Sequence, residues 1–164
     1  RVLKLRPAWR RAVIAAAGKP VAPDANSTLR VTFGRVKGYS PKEAVLMTPG
    51  TTLAGMMAKD TGEEPFDVPQ KLRDAYAKGG AEKVPVDFLS DCDTTGGNSG
   101  SPVIDAKGRL VGVNFDRVWE NVANDFGYNP EVARNVVADV RYLLWMLRDV
   151  DAAPELVKEL TAAR

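Results

Sequence analysis

No histidine occurs among the 164 residues, which removes the imidazole that usually serves as general base to a serine or thiol nucleophile. A nucleophile in this chain needs its base from elsewhere, because Asp and Lys are poor substitutes in that geometry. The only cysteine, Cys92, can neither close an intrachain disulfide nor build a thiolate metal site, and with no imidazole to activate it, it reads as a structural or incidental thiol. Charge of one sign is also missing: 23 basic against 21 acidic residues leave a net +2, too slight to imply a nucleic-acid partner. Arg10-Arg11 beside Trp9 is too small for a basic patch. No apolar run reaches transmembrane length, and no ordered sequence of charged, apolar and small residues forms a leader, so no membrane partner is expected and the start at Arg1 reads as an internal cut. There is no GxxxxGK run and no strand-glycine-helix dinucleotide pattern. Asp91 and Asp93 lack the company of His or a calcium-loop acidic cluster, so they read as turn or surface carboxylates, and no metal or other cofactor is expected.

What is present suits one ordinary globular domain with its own core: 45% apolar residues with only 7% aromatics. Residues 6–19 predict a short docking helix that opens near Pro7 and stops at Gly18. Leu29, Val31 and Phe33 alternate with polar residues before Val36, predicting a strand that continues past a glycine bend, and Glu43 to Met47 predicts a second, ended by Pro49-Gly50. Short helices are predicted over Thr51 to Lys59 and over Pro69 to Lys78, the latter stopped by Gly79-Gly80. The runs VPVDFL, PVID and RLVGVNF predict strands, the last two joined as a hairpin through Asp105-Ala106-Lys107-Gly108. Val136, Val140, Leu143, Leu144 and Leu147 lie at helical spacing, with Asp139 and Arg141 off that stripe, and a final short helix follows Pro154.

The chemistry concentrates in Thr94-Thr95-Gly96-Gly97-Asn98-Ser99-Gly100-Ser101-Pro102. A serine among small residues in a tight bend is how a two-barrel serine peptidase presents its nucleophile, and the glycines let the Gly97 and Ser99 amides converge on a carbonyl oxygen acquiring charge. From composition alone a surface loop between strands fits the same run.

The run SDCDTTGGNSGSPVIDAKGRLVGVNFDRVWE, with DANSTLRVTFGRVKGYSPKEA upstream and RNVVADVRYLLWML downstream, closely resembles the C-terminal portion of the S46 dipeptidyl-peptidases, nearest to their Asp/Glu-specific type. The resemblance implies a bacterial periplasmic or otherwise exported serine exopeptidase without zinc, removing dipeptides from peptides with a free N-terminus. The implied fold is mainly β, a chymotrypsin-like double β-barrel with short peripheral helices and an inserted helical domain. On that reading residues 1–24 end the inserted helical domain, and residues 25–164 form the C-terminal barrel half with a C-terminal helix. Ser99 becomes the nucleophile and the Gly97 and Ser99 amides the oxyanion donors, while the base histidine and its aspartate belong to an N-terminal half outside this chain, leaving the isolated chain inactive. Arg117 matches the arginine that marks preference for Asp or Glu at the second substrate residue, and a guanidinium pairs bidentately with a carboxylate. Asp116 matches the carboxylate that holds the substrate's amino group, its plain alternative being a salt bridge to Arg117. Phe115 flanks the same pocket, and Trp119 serves either as a core plug or in substrate contact. A homodimer of the complete enzyme stays open. Two other readings stand beside this one: a glutamyl endopeptidase of the two-barrel type, since such enzymes also carry GNSGSP, and a noncatalytic peptide-binding barrel.

Overall fold

The computed structural model describes residues 2–19, 21 and 29–162, which separate into two compact units, residues 1–31 and 32–164. The first unit is built on α1 (Val2–Ala17), an alanine-rich helix that ends where Gly18 turns to a φ of +63°. It begins four residues before the predicted start, so Pro7 lies inside the helix rather than near its first turn. Within this unit the Arg10 guanidinium donates to the Val21 carbonyl at 3.1 Å, closing the chain back on the helix.

The second unit is framed by an antiparallel sheet with short helices around it. Its strands are β1 (Gly50–Thr52), β2 (Pro85–Ser90), β3 (Pro102–Ile104), β4 (Leu110–Arg117) and β5 (Asn135–Asp139), in the order β1-β2-β5-β4-β3. The strand latest in the chain is thus central, and among the described residues β1 and β3 are the two edges. Along β5 the side chains of Asn135, Val137 and Asp139 are buried while those between are half-buried. Neighbouring β4 accommodates this strand with Gly112, where an added Cβ would come within 2.5 Å of both the Ala138 carbonyl and the Val137 side chain.

The predicted β3-β4 hairpin is present. The Asp105 carboxylate caps its turn by accepting the Lys107 and Arg109 amides at 2.8 and 3.0 Å, and Gly108 takes the left-handed φ of +76°. The two short helices form as α2 (Leu53–Met57), where the Thr52 hydroxyl accepts the Gly55 amide, and α3 (Gln70–Ala77), stopped by Gly79 and Gly80 at positive φ. They pack against α4 (Val140–Trp145) and the wide turn Met146–Val150 that extends it, enclosing Leu53, Leu72, Ala75, Ala81, Trp145 and Val150. The helix α5 (Pro154–Thr161) follows Pro154 as expected.

Three expectations give way. The predicted strand over Leu29 to Val36 does not form: Leu29, Val31 and Phe33 are exposed, and Val36 makes only a single bridge to Ser90. The main chain there pairs at two points with the end of β2, through Lys37 N–H to Leu89 O and Asp91 N–H to Arg35 O, and alternation without a longer ladder cannot bury a face. Glu43 to Met47 is a bend with Ala44 at a φ of +63°, and only Met47 bridges, to Tyr39. The helix predicted from Val136 is divided at Asp139. The residues before it form β5, and Asp139 itself caps α4 by accepting the Arg141 amide at 2.8 Å while its carboxylate holds the Arg141 guanidinium. Asp139, expected on the outer face, is therefore buried. Two adjacent β-branched valines and an N-capping residue explain why the strand wins at this point.

Candidate functional site

The loop joining β2 to β3, residues 91–101, carries Ser99 and is fastened along its length. At its start the Tyr128 hydroxyl donates to the Asp91 carbonyl at 2.6 Å, and the Asn124 amide donates to the Asp93 carboxylate at 3.1 Å. Burial, reinforced by the nearby Asp91 carboxylate, pushes the Tyr128 phenol above its ordinary pKa, so it remains a donor. Asp91 and Asp93 are thereby engaged in holding loops, and among the described residues no group of three or more metal-ligating side chains occurs.

The bend itself is built by Asn98. Its side-chain oxygen accepts the Thr95 amide at 3.0 Å, its own N–H donates to Thr95 O, and its carbonyl accepts the Ser101 amide at 3.0 Å. Gly97 sits at a φ of +98° with open space where a Cβ would be, so backbone conformation rather than crowding calls for glycine there. The turn leaves Ser99 exposed, with its Oγ donating to the Phe115 carbonyl at 3.3 Å.

The neighbouring strand provides the other half of the site. Asn114 pairs with Val137 and Asp116 with Val136, so Phe115 is an extra residue on β4, a bulge. Gly112 and Asn114 are buried. Beyond the bulge the parity reverses, and Asp116 is exposed while Arg117 is half-buried. The bulge also turns Phe115 outward to solvent. The Asp116 carboxylate accepts the Arg117 backbone amide at 2.8 Å. Ser99 is thus joined, across a gap in the sequence, to the end of β4 through its hydrogen bond to Phe115, the first of the three consecutive residues Phe115, Asp116 and Arg117. Trp119 is 85% exposed, which overturns its reading as a core plug. Cys92 is a half-buried free thiol.

Two buried features escaped the sequence reading. Arg134, 1% exposed, donates to the carbonyls of Lys37, Gly38, Pro130, Glu131 and Ala133 and stabilises the turn that leads into β5. Asn135 joins the Ser90 hydroxyl to the Asn114 side chain beneath the site. The available signal was a polar residue at the end of an apolar strand run, in VGVN and at the start of NVVAD.

A fold and loop of this kind match an identifiable class. The chain belongs to the Peptidase S46 family, whose model matches residues 1–162. Among curated proteins, it is 51% identical over 148 residues to an Asp/Glu-specific dipeptidyl-peptidase of Capnocytophaga gingivalis, covering 85% of this chain and 21% of that protein. It is 39% identical over 151 residues to a dipeptidyl-peptidase 7 of Phocaeicola vulgatus, covering 87% of this chain and 21% of that one. Among solved structures, Porphyromonas endodontalis DPP11 in complex with the dipeptide Arg-Asp superposes with a TM-score of 0.83 at 38% identity, over 92% of this chain and 23% of that chain. The present chain therefore spans about a fifth of the length of these relatives.

Proposed function

We propose that this chain carries the nucleophile and specificity half of a bacterial exported serine dipeptidyl-peptidase that releases N-terminal dipeptides with Asp or Glu at the second position. The observation that supports the reading is the bond from Ser99 Oγ to the Phe115 carbonyl, which ties the candidate nucleophile to the strand segment that continues into Asp116 and Arg117. The relatives named Asp/Glu-specific dipeptidyl-peptidase support the acidic preference. The sheet is then the C-terminal half of a chymotrypsin-like double barrel, and a histidine and aspartate from polypeptide outside these residues complete the triad.

In this mechanism the substrate's ammonium group lies near Asp116, its acidic second side chain pairs with Arg117, and Phe115 walls the pocket between them. The histidine takes the Ser99 proton as Oγ attacks the second carbonyl carbon. The Gly97 and Ser99 amides receive the oxyanion, and the same histidine returns the proton to the departing amine. Water, deprotonated by the histidine, then cleaves the dipeptidyl ester and restores the Ser99 hydroxyl. The deciding experiment measures kcat/KM of the complete enzyme on free-amine dipeptidyl reporters bearing Asp, Glu, Leu or Lys at the second residue. Preference for Asp and Glu is expected. A preference for Leu would overturn the role of Arg117, and no Ser99-dependent cleavage of any reporter would overturn the exopeptidase reading.

A further inference from the structure

We infer that Asn135 is a positioning residue for the Ser99 nucleophile, acting through the buried link from Ser90 to Asn135 to Asn114; this rests on the proposed role of Ser99. Asn135 opens the central strand and is 2% exposed. Its Oδ1 accepts from the Ser90 hydroxyl at the end of β2, and its Nδ2 donates to Asn114 Oδ1 on β4 at 2.6 Å. One side chain thus cross-braces the two strands that flank β5, at the level where both turn into the site.

Asn114 in turn grips the nucleophile bend by its main chain. Its carbonyl accepts the Gly100 amide and its N–H donates to the Ser101 carbonyl, both at 2.8 Å, and the next carbonyl, of Phe115, accepts from Ser99 Oγ. Three hydrogen bonds therefore hold residues 99–101 to residues 114–115, at the point where the bulge interrupts the β4-β5 ladder. The side-chain bond from Asn135 to Asn114 spans that interruption, joining the partner of Arg117 to the last residue before the bulge. Release of the Asn114 side chain would let the β4 main chain shift at the bulge, and a shift of the Asn114 main chain would carry Gly100, Ser101 and the Phe115 carbonyl with it and misdirect the Ser99 hydroxyl. Displacement of a reacting group by about 1 Å costs roughly 10²-fold in rate.

The test uses the complete enzyme with Asn135→Ala and Asn135→Asp. The aspartate keeps an acceptor for Ser90 but sets a carboxylate oxygen against Asn114 Oδ1. Rates are expressed per active site, titrated to completion with a fluorophosphonate, so that a smaller folded fraction does not count as a slower enzyme. The expected result is a kcat reduced at least about 10-fold with KM within about 2-fold, and a slower fluorophosphonate reaction at Ser99 in the same proportion. Should Asn135→Ala fail to fold, Asn135→Asp and Ser90→Ala carry the same readout. Wild-type kcat per titrated site in the folded variants, with Ser99→Ala inactive, would overturn the positioning role and leave the nucleophile standing. An active Ser99→Ala enzyme would overturn both.

Discussion

The guanidinium of Arg134 lies over the ring of Tyr39, its Cζ 5.7 Å from the ring centroid. The same group donates to five main-chain carbonyls, two from residues 37–38 and three from residues 130–133, with no carboxylate among these partners. A cation is held here by dipoles and a π face, and it stabilises the junction of two irregular segments that no strand ladder fastens.

Replacing Arg134 with Ala should therefore destabilise the protein by about 3 kcal/mol or more, because several carbonyls lose their donors and a large side-chain volume is emptied at once. Arg134→Lys should restore only a minor part, since an ammonium has three donors and no planar fork. Denaturant titration of the three proteins measures both. A loss below about 1 kcal/mol for the alanine variant would show that the segments hold without it.

Tyr39 should titrate late. Burial first, and then the hydrogen bond from its hydroxyl to the Glu120 carboxylate at 2.7 Å, raise its pKa from the ordinary 10.0 to about 12. The folded state then holds the phenolic proton more tightly than the unfolded state. The resulting stabilisation is complete below pH 10 and is lost as the pH rises from there to about 12. Stability measured across that window, with Tyr39→Phe as reference, should fall in the parent and less in the variant. Parallel curves would reject the linkage.

Ser99→Ala in the complete enzyme should lower kcat by about 10⁶-fold while the melting temperature stays near that of the parent, because the side chain is exposed and its one bond is long. Residual turnover on the scale of the parent would remove Ser99 from the mechanism.

Arg117→Ala should act on selectivity. Loss of a charge-assisted pairing with the substrate carboxylate should reduce the ratio of kcat/KM for Asp over Leu reporters by roughly 10- to 10²-fold. An unchanged ratio would place the discrimination elsewhere.

Asp116→Asn should raise KM for free-amine peptides, and acetylating the substrate N-terminus should abolish cleavage by the parent enzyme, since an exopeptidase spends its binding interactions on the ammonium group. The same acetylated peptide, cleaved efficiently, would favour a glutamyl endopeptidase.

Local chemistry was legible in the residues themselves. Proline and glycine marked α3, the Asp105 to Gly108 turn marked the hairpin, and the small residues around Ser99 marked a bend that displays a hydroxyl. These features depend on backbone preference over a few positions, and a linear sequence carries that information in full. The family likeness was legible for a similar reason, because its motifs are contiguous in the chain.

What only the tertiary structure decided was pairing. The alternation from Leu29 to Phe33 promised a strand, but no ladder takes those residues up, whereas the stretch from Val136 to Asp139, read as the start of a helix, became part of the central strand because β2 and β4 both offer it hydrogen bonds. The Phe115 bulge, the burial of Arg134 and the Ser90-Asn135-Asn114 brace are products of those pairings. Strand partnership is a relation between distant segments, with energies set by which polar groups and faces meet, so the identity of a residue does not specify it until the fold supplies the partner.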